Sequence, residues 1–252
     1  MYRRTVSGML LTLLIIGFSM PIFNVHPVWA SGTIYIRADG GIDPTTAPVS
    51  TTDNVTYTLT GSINDSIVVE RDAIMIDGAG HTVDGTATIN SEGISLAGRT
   101  NVTIKNTTIV GFDWGIGLYQ SHNIHLTQNN ISNMDRQGIY LSYSSDNLIE
   151  KNTLTNIAQY GLMIFQDSQN NQVEYNDVID SDCGIYVGSG PDNMLARNTI
   201  MNNRLGMWAE HSYNITLREN TVVGNKSKSI YGILLSIQSS RIIGNTIADC
   251  PD

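Results

Sequence analysis

The chain has 252 residues, room for one large domain or two small ones, and a formal net charge of −9. Residues 1–30 hold Arg3 and Arg4 but no acid, so the remainder carries 12 basic and 23 acidic residues, and a net charge of −11 argues against nucleic acid as a partner. Only 15% of residues are charged, below the usual value of about 25%, which excludes a charge-rich disordered tail and a coiled coil.

Taken in chain order, the first segment reads as an export signal. Arg3 and Arg4 precede an apolar run over 9–23, and Val28-Trp29-Ala30 offers modest side chains where a signal peptidase reads. The run is shorter than the roughly twenty residues of a membrane-spanning helix, and Pro21 interrupts it. A cleaved signal peptide over 1–30 is the expectation, with an uncleaved anchor as the alternative. The mature chain has no other span, which places the protein in a secreted, periplasmic or cell-surface location. Seven Asn-x-Ser/Thr triplets, at Asn54, Asn64, Asn101, Asn106, Asn130, Asn214 and Asn225, would permit glycosylation in a cell equipped for it.

Residues 31–66 read as an N-terminal cap with lead-in strands. Thr33-Ile34-Tyr35-Ile36 and Val55-Thr56-Tyr57-Thr58-Leu59 alternate as strands on either side of a proline-containing stretch at 44–48. From residue 67 onward a repeat takes over. Asn129, Asn152, Asn176, Asn198, Asn220 and Asn245 each open an Asn-polar-aliphatic step, separated by 23, 24, 22, 22 and 25 residues. A Gly-aliphatic-x-apolar landmark at Gly93, Gly115, Gly138, Gly161, Gly184, Gly206 and Gly232 keeps the same period. Two independent landmarks in step make a solenoid.

Between landmarks, bursts such as Ile139-Tyr140-Leu141 alternate with the period of a strand, and no stretch carries helical periodicity. Three short strands and three corners therefore form one triangular coil, and coils stack at the strand spacing of about 4.8 Å. The absence of proline between Pro48 and Pro191 suits unbroken ladders. A leucine-rich repeat has a compatible length but needs a Leu-x-x-Leu-x-Leu pattern that is missing. The fold class is all-β: a single-stranded parallel β-helix of about seven to nine coils over 67–252. Asparagine tolerates the left-handed corners and can link coil to coil through its amide, and the recurring glycine relieves crowding. The chain stops at Cys250-Pro251-Asp252 soon after the last landmark. Missing coils beyond that point, a partner covering the last coil, and protection by Pro251 alone are all left open.

These landmarks, with Ile76-Asp77-Gly78-Ala79-Gly80-His81-Thr82-Val83-Asp84-Gly85 opening the stack, resemble the right-handed parallel β-helix proteins of the pectin-lyase-like group. The likeness is nearest to the NosD-type and carbohydrate-binding or sugar-hydrolase repeats. It implies extracytoplasmic, often saccharide-facing work and leaves the reaction open, because such repeats occur in polysaccharide lyases, hydrolases, binding proteins and a copper-site accessory. Calcium or copper is implied by that resemblance alone; the residues themselves identify no cofactor.

In the glycine landmark the middle residue should point outward, giving an outside file of Ser95, Gly117, Tyr140, Met163, Tyr186, Trp208 and Leu234, with Phe165 beside Met163. Tyr140, Met163, Phe165, Tyr186 and Trp208 are the candidate carbohydrate-binding residues, since a row of apolar faces accepts the apolar face of sugars. The competing reading is side chains stacking on one another to stiffen the sheet. Carboxylate chemistry needs two acids across a bond; the densest coil offers Asp177, Asp180 and Asp182 near Glu174 and Asp192, with Asp182 expected to pair with Arg204 and Asp177 to share a file with threonines. No adjacent Asp pair of the pectin-degrading kind occurs, and Gly80-His81-Thr82 is only a partial echo of Gly-His-Gly. His122 and His125 are the weak metal candidates, with Asp146 the expected neighbour of His122 and too few ligands for a transition metal. Cys183 and Cys250 lie three coils apart, about 14 Å by the strand spacing, beyond the roughly 7 Å a disulfide spans.

The reading from sequence is a lateral face that binds a polysaccharide or cell-surface glycan. A polysaccharide lyase or glycoside hydrolase, and a NosD-type copper accessory or structural surface module, are the alternatives.

Overall fold

The computed structural model describes residues 32–85, 90–225, 227 and 229–250; the expected signal peptide lies outside them. One coil shows how the rest are built. Gln137–Ser142 belongs to a first sheet, Leu148–Glu150 to a second and Thr153–Ile157 to a third, after which Tyr160–Phe165 returns to the first sheet directly above Gln137–Ser142. Every sequence burst that alternates apolar and polar becomes one such strand. The three sheets contain ten, ten and eight strands, and among the described residues there is no helix.

Register is kept from coil to coil. Ile116, Ile139, Leu162, Ile185 and Met207 are successive partners in the first sheet, Leu126, Ile149, Val173, Leu195 and Leu217 in the second, and Ile131, Leu154, Val178, Ile200 and Val222 in the third. All of these lie in the buried core. Like side chains thus stack on like along one interior. In the last described coil the equivalent Ile242 and Ile247 are 56% and 52% exposed.

At the corner between the second and third sheets the two duties that the sequence assigns to asparagine are divided. The left-handed conformation falls on the preceding residue, at Gln128, Lys151, Tyr175, Arg197 and Glu219, with φ between 54° and 57°. Asn129, Asn152, Asn176, Asn198 and Asn220 follow with negative φ and full burial. From Asn152 to Asn245 each amide oxygen accepts from the main-chain N–H and the side-chain amide of the asparagine one coil below, as in Asn176 to Asn198, both at 3.0 Å. Buried amides need partners more than they need a turn, so the corner's strain is placed on a neighbour whose side chain faces water. At the first corner, by contrast, Asn123, Asn170 and Asn214 are themselves left-handed. A second, shorter ladder of Asn147, Asn171 and Asn193 lies beside them, and the main-chain N–H groups of Ser121 and Ser144 donate to the hydroxyls of Ser144 and Ser168.

The landmark glycines have ordinary φ and are required by space. A Cβ on Gly138 would stand 2.6 Å from the Gly161 carbonyl oxygen and 2.7 Å from Leu154 Cδ2. The N-terminal segment already joins the stack. Ile34–Ile36 pairs parallel with Ile67–Val69, and Thr56–Leu59 with Met75–Asp77. Outside them Ile42–Asp43 and Val49–Ser50 pair antiparallel and close the open sheet edges. Tyr57, fully buried, donates its hydroxyl to the Gly40 carbonyl at 2.8 Å and ties this cap to the core.

Candidate functional site

The first sheet has the longest strands, six residues in each coil from Trp114–Tyr119 to Cys183–Gly188 and nine in Leu205–Tyr213. Its outer face is therefore the widest surface of the molecule. The file read from sequence stands in register: Ser95, Gly117, Tyr140, Met163, Tyr186, Trp208 and Leu234 are successive partners. Phe165 lies two residues along from Met163 and next to Ser142 of the coil below.

Exposure along the file is uneven. Tyr140, Met163, Phe165 and Trp208 are half-buried, whereas Tyr186 is only 6% exposed. Its ring centroid lies 5.1 Å from that of Tyr160, 6.4 Å from Phe165 and 5.0 Å from Trp208, and Cys183 and Leu205 complete the cluster. Gly188 leaves the space that the Tyr186 ring occupies, so a side chain there would overlap it. The Tyr186 hydroxyl donates to Glu210 Oε1 at 2.9 Å. Burial, and then this carboxylate, push the phenol well above its usual ionisation range. Burial likewise raises the Cys183 thiol to about 12. Tyr186 thus sets the geometry from beneath, and its neighbours present the surface.

Below this cluster Glu92 folds over Gly117, occupying the place a side chain would take. Burial raises its carboxyl against the opposing hydrogen bond from Ser95. Trp114, its partner in the strand ladder, carries the Arg136 guanidinium 5.1 Å above the ring.

Two tyrosines that the glycine landmark does not mark join this face. Tyr119 and Tyr143 are 47% and 41% exposed, with centroids 6.0 Å apart in an edge-to-face pair. Tyr119 ends its strand and Tyr143 is the left-handed residue just after the next one. With Phe165 above them and Tyr213, 56% exposed, two coils higher, they line the edge of the sheet where it turns into the first corner. The step of two positions beyond the outside file that gives Phe165 from Met163 also gives Tyr119 from Gly117, but nothing in the sequence marks Tyr143, which sits on a corner.

The acids occupy different parts of the coil. Asp177 lies on the outer face of the third sheet between Thr153 and Thr199, and Asp180 at the left-handed turn that leaves it. Asp182 comes just before the first sheet, where Arg204 Nε and Nη2 donate to its two oxygens at 2.5 and 2.8 Å. Glu174 belongs to the second sheet and meets Arg197 at 3.2 Å.

The histidines do not converge either. His122 Nδ1 accepts from the Ser145 main-chain N–H at 3.2 Å, and that residue takes the place expected of Asp146, whose main chain pairs one coil higher with Gln169. His125 Nε2 lies 3.1 Å from Glu150 Oε1 on the second sheet. Among the described residues no three His, Cys, Asp or Glu side chains come together to hold a metal ion. That donor set does not fit copper, which needs several convergent ligands. Cys183 and Cys250 are both free.

The family model for the right-handed β-helix region matches residues 49–199, and that for the periplasmic copper-binding protein NosD matches residues 164–251. No curated protein sequence is significantly similar. Among solved structures, the chain is similar to the A-module of the Azotobacter vinelandii mannuronan C-5 epimerase AlgE6, with a TM-score of 0.57 and 14% identity over 86% of this chain and 76% of that one. A mutant of the periplasmic alginate epimerase AlgG gives 0.52 and 14% over 87% and 67%, and the Dettilon tailspike protein 0.52 and 15% over 87% and 53%. At such identities the likeness concerns the fold. With three in-register parallel sheets and a family model covering more than half its length, the chain belongs to the right-handed parallel β-helix family.

Proposed function

We propose that the protein binds a polysaccharide along the outer face of the first sheet, outside the cytoplasm, after export directed by residues 1–30. The observation that carries this reading is the aromatic surface itself. Tyr140, Met163, Phe165 and Trp208 stand half-exposed over a buried Tyr186, with exposed Tyr119 and Tyr143 alongside. Pyranose rings have apolar C–H faces, and rigid aromatic side chains held by a sheet receive them at little cost in side-chain entropy. The structural neighbours named for alginate epimerases and a tailspike are compatible with work on carbohydrate. No helix among the described residues is long and apolar enough to cross a membrane.

Titrating soluble polysaccharides against the wild type and a Tyr140→Ala/Trp208→Ala variant tests the reading. Tyr186 is left intact because its removal would collapse the surface rather than strip it. Loss of binding in the variant, with an unchanged melting temperature, is the expected result. Equal binding by the two proteins, or none by the wild type, would overturn it.

A further inference from the structure

Where the first sheet meets the first corner, the upper coils differ in length. His211 adopts the left-handed turn found at Tyr143, Gln166 and Ser189 below it, with φ of 50°. The strand above has no such turn: Glu210 pairs with Ser236, yet Ser212 pairs with Ile237. His211 is therefore left unpaired opposite the shorter coil, a bulge of the kind that re-aims side chains. The mismatch opens a cleft of about 330 Å³ lined by His211, Ser212, Tyr213, Ser236 and Gln238.

The chemistry of this cleft is specific. Ser212 is buried and committed, accepting from the Gly190 N–H and donating to the Glu210 carbonyl. The side chains of His211, Tyr213, Ser236 and Gln238 are exposed and make no hydrogen bond to another described residue. They offer an imidazole, a phenol, a hydroxyl and an amide: groups that both donate and accept, beside one open aromatic face. Lys and Arg are absent from the cleft and from the first-sheet strands that form the aromatic face, Trp114–Tyr119 through Leu205–Tyr213. Glu92 and Glu210 lie on that face instead. Arg136 over Trp114 and Arg204 on Asp182 stand at the opposite edge, where the strands begin, so a uronate or sulfated sugar in the cleft would meet Glu210 nearby and find no Lys or Arg in the lining.

We propose that the cleft at His211, Tyr213, Ser236 and Gln238 is a binding subsite for one sugar unit of a neutral polysaccharide, continuous with the aromatic edge that runs from Tyr119 and Tyr143 past Phe165. It rests on the polysaccharide-binding reading and adds to it a place where the glycan is fixed by hydrogen bonds, and a charge class. From the coil of Tyr119 to that of Tyr213 the edge rises four strand spacings, about 19 Å. A bound chain would therefore need several sugar units to reach the cleft.

Calorimetric titration with neutral cello-, xylo- and manno-oligosaccharides, from di- to hexasaccharide, and with oligouronates of matched length, tests it. The variants are Tyr213→Ala/Gln238→Ala and His211→Ala, with Tyr140→Ala/Trp208→Ala for comparison. The expected result is wild-type binding to a neutral hexasaccharide that falls about tenfold in the cleft variants, equivalent to 1.4 kcal/mol. Cleft variants that bind like wild type while Tyr140→Ala/Trp208→Ala fails would overturn the subsite and leave the polysaccharide reading standing. Tighter binding of oligouronates would overturn the charge class. Absence of any binding by the wild type removes the parent reading, and the subsite with it.

Discussion

Asn152 donates twice to one atom: its main-chain N–H and its side-chain amide both reach the Oδ1 of Asn176, each at 3.0 Å. The same amide also donates to the carbonyls of Leu126 and Glu150, and its own oxygen serves Asn129 in turn. Substitution by alanine would strand several buried groups at once, each costing roughly 1–3 kcal/mol. Asn152→Ala should therefore lower the unfolding free energy by about 3 kcal/mol or more, measured by urea denaturation. Asn156→Ala, which removes an exposed amide pair with Asn133 at 2.7 Å from a left-handed residue with φ of 57°, should cost only about 1–2 kcal/mol.

Glycine positions should divide by cause. Gly138→Ala forces a Cβ against the Gly161 carbonyl and Leu154, and overpacking of this kind costs about 1–3 kcal/mol. Gly98 has φ of +69° and open space around it, so Gly98→Ala should lose only the left-handed backbone preference, about 1 kcal/mol. Thermal melts of the two variants side by side check the order.

The two cysteines should react differently. Cys183 is buried with its thiol raised to about 12, so at pH 8 it should resist an aromatic disulfide reagent until the protein unfolds. Cys250, half-buried, should be modified in the native state. Tyr186 should behave like Cys183: ultraviolet titration should show its phenol ionising only with unfolding, since burial and Glu210 oppose its anion.

Acid should weaken one surface link on the second sheet. The hydrogen bond from Lys151, and then that from His125, hold the Glu150 carboxyl below its usual range despite some burial. A depressed carboxyl contributes stability above its unfolded value and loses it as pH falls through the folded one. Glu150→Gln should accordingly be less stable than wild type at neutral pH, by less than about 1 kcal/mol for so exposed a pair. The difference should vanish in acid, as followed by denaturant midpoints against pH.

The stack was legible because two residue types recur with a common period, and once the coils are aligned the partners of Tyr140, Met163, Tyr186 and Trp208 follow. Burial within a file was not. Whether Tyr186 faces water depends on Tyr160, Phe165 and Trp208 leaning over it and on Gly188 making room, relations across three coils that no spacing records. The residue that bears the corner's left-handed turn was equally hidden, because Lys151, Tyr175 and Arg197 share no side-chain chemistry and need only reach solvent. The shorter ladder through Asn147, Asn171 and Asn193 spans too few coils to stand out as a period. The bulge at His211 has no local signal at all, since it arises from the length of the coil above.

Because each coil in this stack touches only the coil above and the coil below, its number is a variable that evolution or an engineer can change without redesigning the rest. A tandem duplication of residues 152–175 would supply one more asparagine for the ladder, one more glycine at the first sheet and one more row on the outer face. The protein behaves as a ruler to which single rungs can be added and from which they can be removed.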